Sequence, residues 1–332
     1  EIDESKWSYD IGTGDWGWGN NEQQYYTSNS NNSFIEDGKL IIQALLQNYG
    51  GANYTSARMV TRDQGDWTYG RIDIRAKLPG GVGTWPAIWM LPTDWVYGGW
   101  PYSGEIDIME HVGFEPNVIH GTAHSEVYNW WNGIPPPGGS IYVNGAISGF
   151  HDYTLEWDEN YLKWYVDDVH YFTYVNDQDG NYATWPFDQR FHLLLNIAIG
   201  GTWGGQQGID DSIFPVRMEV DYVRVYEASS ELSSQLETIP NIYNLHYNYP
   251  NPFNPATTLC YFLPEQTHIT LTVYDLMGKE IIQLVDAIQN IGNKTVQWDG
   301  TDSFGRPVSA GLYLYQIRTS NHTSVGKMAL LK

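Results

Sequence analysis

Gly104-Glu105-Ile106-Asp107-Ile108-Met109-Glu110-His111-Val112-Gly113 places three carboxylates within six residues of an otherwise apolar, strand-like run. Ile106 and Ile108 alternate with Glu105 and Asp107, so a β-strand would show the two acids on one face and the isoleucines on the other. Glu110 breaks this parity. It lies five residues beyond Glu105 and would point to the opposite face, unless one extra residue enters as a β-bulge around Ile108 or Met109. With the bulge, all three acids face one cleft. Close like charges destabilise one another and raise at least one pKa, which stability alone would not select. Glycoside hydrolysis does require the arrangement: one carboxylate attacks the anomeric carbon while a second, held protonated, gives its proton to the leaving oxygen. A solvated acidic strand face, or a calcium site built of oxygen ligands, are the alternatives on this stretch alone.

The chain of 332 residues has room for one large domain or two unequal ones. Acids outnumber bases 39 to 17, for a net charge of −22. No basic patch exists to neutralise phosphates, which argues against nucleic acid as a partner. With 15 Trp and 25 Tyr, plentiful Gly and Pro, and little helical periodicity, the composition is that of an all-β protein with aromatic surface to spare. Some Trp belong to a core, but indoles also stack on flat sugar faces, so a polysaccharide fits better than a small metabolite. No apolar window is long enough to span a membrane. The sequence starts at Glu1-Ile2-Asp3, which suggests a removed leader. Cys260 stands alone, cannot form an internal disulfide, and reads as a small core residue in the Leu259–Leu263 run.

Gly12 to Glu22 is a glycine- and tryptophan-rich loop. Glu36-Asp37-Gly38 reads as a hairpin turn into a strand over Lys39–Ala44. Tyr69 to Leu78 alternates with Ile72, Ile74, Ala76 and Leu78 inward. Thr84 to Pro92 is a buried-looking strand, and Tyr128 to Gly139 a loop rich in Trp, Gly and Pro. Two runs flanking Asp167-Asp168 read as a hairpin, Phe191–Ile199 as a central strand buried on both faces, and Met218–Tyr226 as a closing strand. The sum is two packed antiparallel sheets. Residues 228–240 form a Ser-rich linker. The 92 residues 241–332 then match the size of an immunoglobulin-like sandwich, without a cluster suggesting chemistry.

Taken together, Gly17–Glu22, Arg71–Pro79, Trp85–Met90, Gly104–His111, His120–His124, Gly200–Asp210 and Val220–Tyr226 resemble glycoside hydrolase family 16, most closely its laminarinases, endo-β-1,3-glucanases. The segments occur in the family's order and cover nearly all of residues 1–227. The resemblance implies an all-β fold, a concanavalin A-like jelly-roll sandwich whose concave sheet forms the sugar cleft. Glu105 matches the nucleophile, Glu110 the general acid/base and Asp107 the acid between them, in a retaining double displacement. The same pattern puts Trp85 and Trp89 near the sugar subsites, Asn20 and Arg62 among polar contacts, and His124 beside the acids. A core Trp and a structural His are the bland readings of Trp89 and His124. Trp16, Trp18 and Trp203, in glycine loops, are expected to stack on sugar. Family members carry an N-terminal strand before the equivalent of Lys6-Trp7, which this sequence does not show. That strand normally contributes to a structural calcium site, with the Gly38 carbonyl and Asp221 as further ligands. Catalysis itself needs no cofactor.

Tyr249–Pro255, Val273–Gly278, Trp298–Asp302 and Gly311–Tyr315 resemble the C-terminal sorting domains of proteins exported by the bacterial type IX secretion system. A spacer module is the bland reading. The expectation is therefore a secreted or surface-attached monomer acting on β-glucan polysaccharide, with the secretion machinery as a partner of its tail. Mixed-linkage β-1,3-1,4-glucanase activity, another family 16 polysaccharide, and glucan binding without catalysis are the alternatives.

Overall fold

The computed structural model describes residues 1–227, 244–249, 251–263, 266–290, 292–320 and 323–331. The linker at 228–240 and the side chain of Cys260 lie outside the described residues. The chain divides into two compact units, one of Glu1–Tyr174 with Gly180–Ser229, the other of Ser230–Lys332 with Val175–Asp179.

The first unit is two sheets packed face to face. One has eight strands, ordered Ser8–Tyr9, Arg58–Val60, Phe191–Ile199, Thr84–Pro92, Glu105–Glu110, Val118–His124 and Gly138–Tyr142, with Asp66–Trp67 also pairing onto Phe191–Ile199. The other has nine and is centred on Gly70–Lys77, Val216–Tyr226 and Lys39–Tyr49. Period-two patterning explains the assembly. Ile72, Ile74 and Ala76 are buried in the shared core, while Arg71, Arg75 and Lys77 on the outer face meet Glu156, Asp152 and Glu219, each at 3.0 Å. Two tight turns follow the chemistry of primed hairpins, in which both central residues take positive φ: Asp37 and Gly38, at 50° and 78°, and Asp167 and Asp168, at 50° and 60°.

Phe191–Ile199 is buried at all nine positions, but its two faces differ. Leu193, Leu195, Ile197 and Ile199 enter the inter-sheet core. Leu194 and Ala198 join small clusters on the other side with Trp89, Trp100, Trp85 and Trp203. That other side is the floor of the cleft.

The expected bulge is present. Against Val118–His124, Asp107 pairs with Thr122 and Glu110 with His120, three steps against two. Against Thr84–Pro92, Asp107 pairs with Trp89 and Met109 with Ile88, two steps against one. Ile108 and Met109 are consecutive, yet both lie in the inter-sheet core, and this restores Glu110 to the face of Glu105 and Asp107. The irregularity is met from the opposite sheet by Trp164, whose Nε1 donates to the Asp107 carbonyl at 2.8 Å. Gly121, between the two paired positions, makes room for it. A Cβ at Gly121 would come within 2.4 Å of the Trp164 ring.

The second unit has a three-stranded sheet, Asn244–Tyr249, Thr257–Leu263 and Gly292–Trp298, and a four-stranded sheet, Glu280–Gln289, Thr267–Asp275, Gly311–Arg318 and Thr323–Leu330. Leu259, Tyr261, Leu271, Val273, Trp298, Tyr315 and Ile317 are among the residues of its separate core. Among the described residues no helix is long and apolar enough to cross a membrane.

Replacing Trp164 with Phe keeps most of the ring volume and removes the donor to a buried carbonyl. The expected cost is about 1–3 kcal/mol, read as a lower urea midpoint at unchanged m-value; an unchanged midpoint would show that the bulge holds itself.

Candidate active site

Parity also dictates what else faces the cleft. On Val118–His124 the acids are met by His120, Thr122 and His124, paired with Glu110, Asp107 and Glu105 respectively. His124 Nε2 lies 3.2 Å from Asp107 Oδ2 and 3.8 Å from Glu105 Oε1. On Thr84–Pro92, Trp85 donates its indole N–H to Glu110 Oε1 at 2.9 Å, and Trp89 sits opposite Asp107 with its own N–H on Asn196 Oδ1 at 2.7 Å. Trp203 packs edge-on against Trp85 at 5.5 Å and His120 at 5.0 Å.

Burial governs the charge state. It raises Glu105 to about 8 and Asp107 to about 7, and in Glu105 the neighbouring Asp107 charge adds to the effect. Glu110 is also raised to about 8, first by burial and then by Asp107, with His124 and the Trp85 hydrogen bond opposing. The contact between the two carboxyls raises Glu105 and lowers Asp107, so it favours the proton on Glu105. The cleft therefore carries fewer negative charges at neutral pH than it has carboxyls. Glu110 rises as the sequence led us to expect, but desolvation outranks its acidic neighbours as the cause.

Of the polar positions proposed from sequence, neither Asn20 nor Arg62 has a described contact with the three acids. Asn20 accepts the Thr202 N–H through its backbone carbonyl at 2.7 Å, and its side chain bonds Glu22. Arg62 reaches Asp10 at 3.5 Å. Trp18 lies against an arginine that sequence reasoning passed over: Arg58, 4.4 Å from the Trp18 ring and 4.7 Å from the Trp89 ring. Asp10 holds that guanidinium at 3.1 Å, and its charge reaches far enough to oppose the rise at Glu105. A lone arginine within the otherwise uncharged run Ser56-Ala57-Arg58-Met59-Val60 is the signal the sequence offers. Also unforeseen is a polar chain behind Trp89. Asn196 Nδ2 donates to Tyr26 OH at 3.0 Å, and Tyr26 OH donates to the part-buried Glu22 carboxylate at 3.2 Å.

Asp221 belongs to the nine-stranded sheet, and Gly38 to the turn that joins its strands Ser33–Glu36 and Lys39–Tyr49. Val220 pairs with Leu40, so Asp221 comes beside the turn at Gly38, where its carboxylate already lies 3.5 Å from Arg75 Nε. Among the described residues, one metal-type grouping of His, Cys, Asp and Glu occurs: Glu105, Asp107 and His124, with one ligand atom each within 4.8 Å of the others.

A two-sheet sandwich with a tryptophan-walled cleft and three carboxyls of raised pKa on one face defines a carbohydrate-active hydrolase. The glycosyl hydrolases family 16 pattern matches residues 19–224, and the chain belongs to that family. Hydrolases of this family need no catalytic cofactor. A secretion system C-terminal sorting domain matches residues 248–330 and marks the protein for type IX export, as a secreted or cell-surface protein. A β-glucanase of Rhodothermus marinus is 53% identical over 231 residues, covering 68% of this chain and 80% of that protein. The crystal structure of the laminarinase from Rhodothermus marinus superposes with a TM-score of 0.66 at 52% identity, over 68% of this chain and 92% of that one. A non-specific endo-β-1,3(4)-glucanase, crystallised with a glucan oligosaccharide at its active site, gives 0.65 at 43% identity, over 68% and 89% of the two chains.

The raised acids set a stability signature. A carboxyl whose folded pKa exceeds its unfolded value binds its proton more tightly when folded, so its contribution is most favourable below the unfolded value and is lost as pH climbs through the folded one. For Glu105 that window runs from 4.5 to about 8. Glu105→Gln is expected to raise the melting temperature at pH 8 by about 3 °C or more, with the difference vanishing near pH 4; a pH-independent difference would contradict the assignment.

Proposed function

We propose that the protein is an endo-acting hydrolase of β-1,3-glucan that works by retaining double displacement. Glu105 attacks the anomeric carbon, Glu110 protonates the departing oxygen, and Glu110 then takes a proton from the water that releases the glycosyl-enzyme. The observation that carries this reading is the bulge, which sets Glu110 on the face of Glu105 and Asp107. Retention calls for carboxyls about 5–5.5 Å apart, so that Glu105 reaches the sugar without an intervening water. Asp107 acts through Glu105: burial and the Asp107 charge hold a proton on Glu105 that must leave before it attacks, and Asp107 is the neighbouring carboxylate that takes it. Trp85 orients Glu110 through its N–H, and Trp89, Trp18 and Trp203 offer ring faces to the sugar chain. Asn20, Arg62 and His124 are the polar groups we assign to glucan binding.

Laminarin digestion tests the reading. Wild-type enzyme should release a ladder of β-1,3 oligosaccharides, with the first-formed anomer of β configuration by proton NMR. Glu110→Gln should lower kcat by about 10²–10⁴-fold. Inverted product, or Glu105→Gln that still hydrolyses, would sink the mechanism. The related non-specific endo-β-1,3(4)-glucanase favours one second reading, mixed-linkage β-1,3-1,4-glucan as a further substrate; cleavage of lichenan faster than laminarin would make it the first.

The division into a hydrolase over 1–227, a linker over 228–240 and a sorting module over 241–332 belongs to the same proposal, with the module engaging the secretion machinery and the enzyme acting as a monomer. We also place a structural Ca²⁺ at the Gly38 carbonyl and Asp221. These two groups supply only part of the six to eight oxygens Ca²⁺ takes, and Arg75 competes for Asp221. Millimolar Ca²⁺ is therefore expected to raise the melting temperature while leaving kcat unchanged, and Asp221→Asn to abolish the shift. A shift that survives Asp221→Asn would put the ion elsewhere.

A further inference from the structure

Beyond the Glu105 end of the cleft the aromatic wall continues onto residues with no role in the reaction just described. Trp100 lies 6.0 Å from the His124 ring, packed over the floor cluster of Val60, Leu91 and Leu194. Trp131 meets Trp100 edge-on at 4.4 Å and is 72% exposed. A large ring left in water is ordinary on a floppy loop, but this loop is pinned. Asn129 is fully buried, and its side-chain amide donates to the carbonyls of Ser125 and Glu126 at 3.0 and 2.9 Å. Its side-chain oxygen caps the single turn Trp130–Asn132 by accepting the Asn132 N–H at 3.0 Å. Gly133 closes that turn with φ of 68° and donates back to the Trp130 carbonyl. The result is an indole held in place, nearly perpendicular to a second indole and mostly open to water.

We propose that Trp131, braced by Trp100, is an outer sugar-stacking platform that takes a glucosyl unit of a long β-glucan chain beyond the subsites at the acids. The occupant follows from continuity: Trp100 joins the platform to His124 and so to the Glu105 end of the same cleft, where a polysaccharide leaving the reaction centre must run. Charge favours the same ligand, since a chain of net charge −22 offers an anionic polymer little attraction, and a neutral sugar binds through its apolar face. The inference rests on the glucan reading of the cleft. It adds a length dependence that the cleft alone does not supply.

Binding in an inactive background separates the two. In Glu105→Gln enzyme, Trp131→Ala should weaken affinity for a long laminarin oligosaccharide about tenfold, while a disaccharide or trisaccharide binds as before; Trp131→Phe, which keeps a ring face, should recover most of the loss. In active enzyme, Trp131→Ala should raise KM on laminarin with kcat and the pH profile unchanged. Unaltered affinity for the long oligosaccharide would overturn the platform. So would equal weakening of short and long ligands, since the loop would then be supporting the inner cleft. Failure of wild-type enzyme to cleave laminarin, with Trp131-dependent binding intact, would overturn the hydrolytic reading and leave the platform standing.

Discussion

One surplus residue in the strand Glu105–Glu110 carries the site. A regular strand through this run would put Glu110 in the hydrophobic core, where an unpaired charge is prohibitively costly. By sending Ile108 and Met109 both inward, the chain buries two apolar side chains in succession and turns the next acid outward. The backbone loses pairing at that point. The indole N–H of Trp164, entering from the other sheet, accounts for the Asp107 carbonyl, and only a residue without a Cβ at position 121 lets the ring come that close. Core packing and catalytic geometry are thus one feature seen from the two faces of a single sheet.

The same burial that shapes the cleft sets its charges. Three carboxyls under aromatic walls cannot all ionise, so protons stay on them to higher pH than in water. Positive charge is available but kept at a distance. Arg58 is held between two indoles and tethered to Asp10, and it lowers the field at Glu105 without forming an ion pair with it. A direct salt bridge would fix Glu105 in its charged form. Low stability at alkaline pH is the physical consequence of keeping a protonated acid beside a nucleophile.

Much of this was legible in the sequence because it follows from period-two alternation. The run from Gly70 to Lys77, the central strand Phe191–Ile199 and the parity conflict at Glu110 are statements about which way side chains point, and side-chain direction along a strand is nearly fixed. Distances across the sandwich were not legible. Arg58, Asn196 and Tyr26 are far apart in the chain and meet only because the strand order sets Arg58–Val60 beside Phe191–Ile199, and that beside Thr84–Pro92. From the sequence Trp164 is simply one ring in the hairpin that flanks Asp167-Asp168. Its bond to Asp107 spans 57 positions and depends on how two sheets face each other, which local pattern does not encode.

Tryptophan shows the division most clearly. The same residue type serves in the core, as Trp157 and Trp164 do with almost no exposure, along the cleft, as Trp85 and Trp89 do, and out in solvent, as Trp16 and Trp131 do. Glycine context predicts that a ring is not deep in the core, and Trp18 and Trp203 follow that rule. It does not say what the ring touches. Trp16, at 84% exposure, stands with no aromatic partner among the described ring contacts, whereas Trp131 is seated on Trp100 and its loop is tied down by Asn129. Rigidity is what separates a binding surface from an exposed side chain, because a ring already ordered pays little entropy when a sugar lands on it.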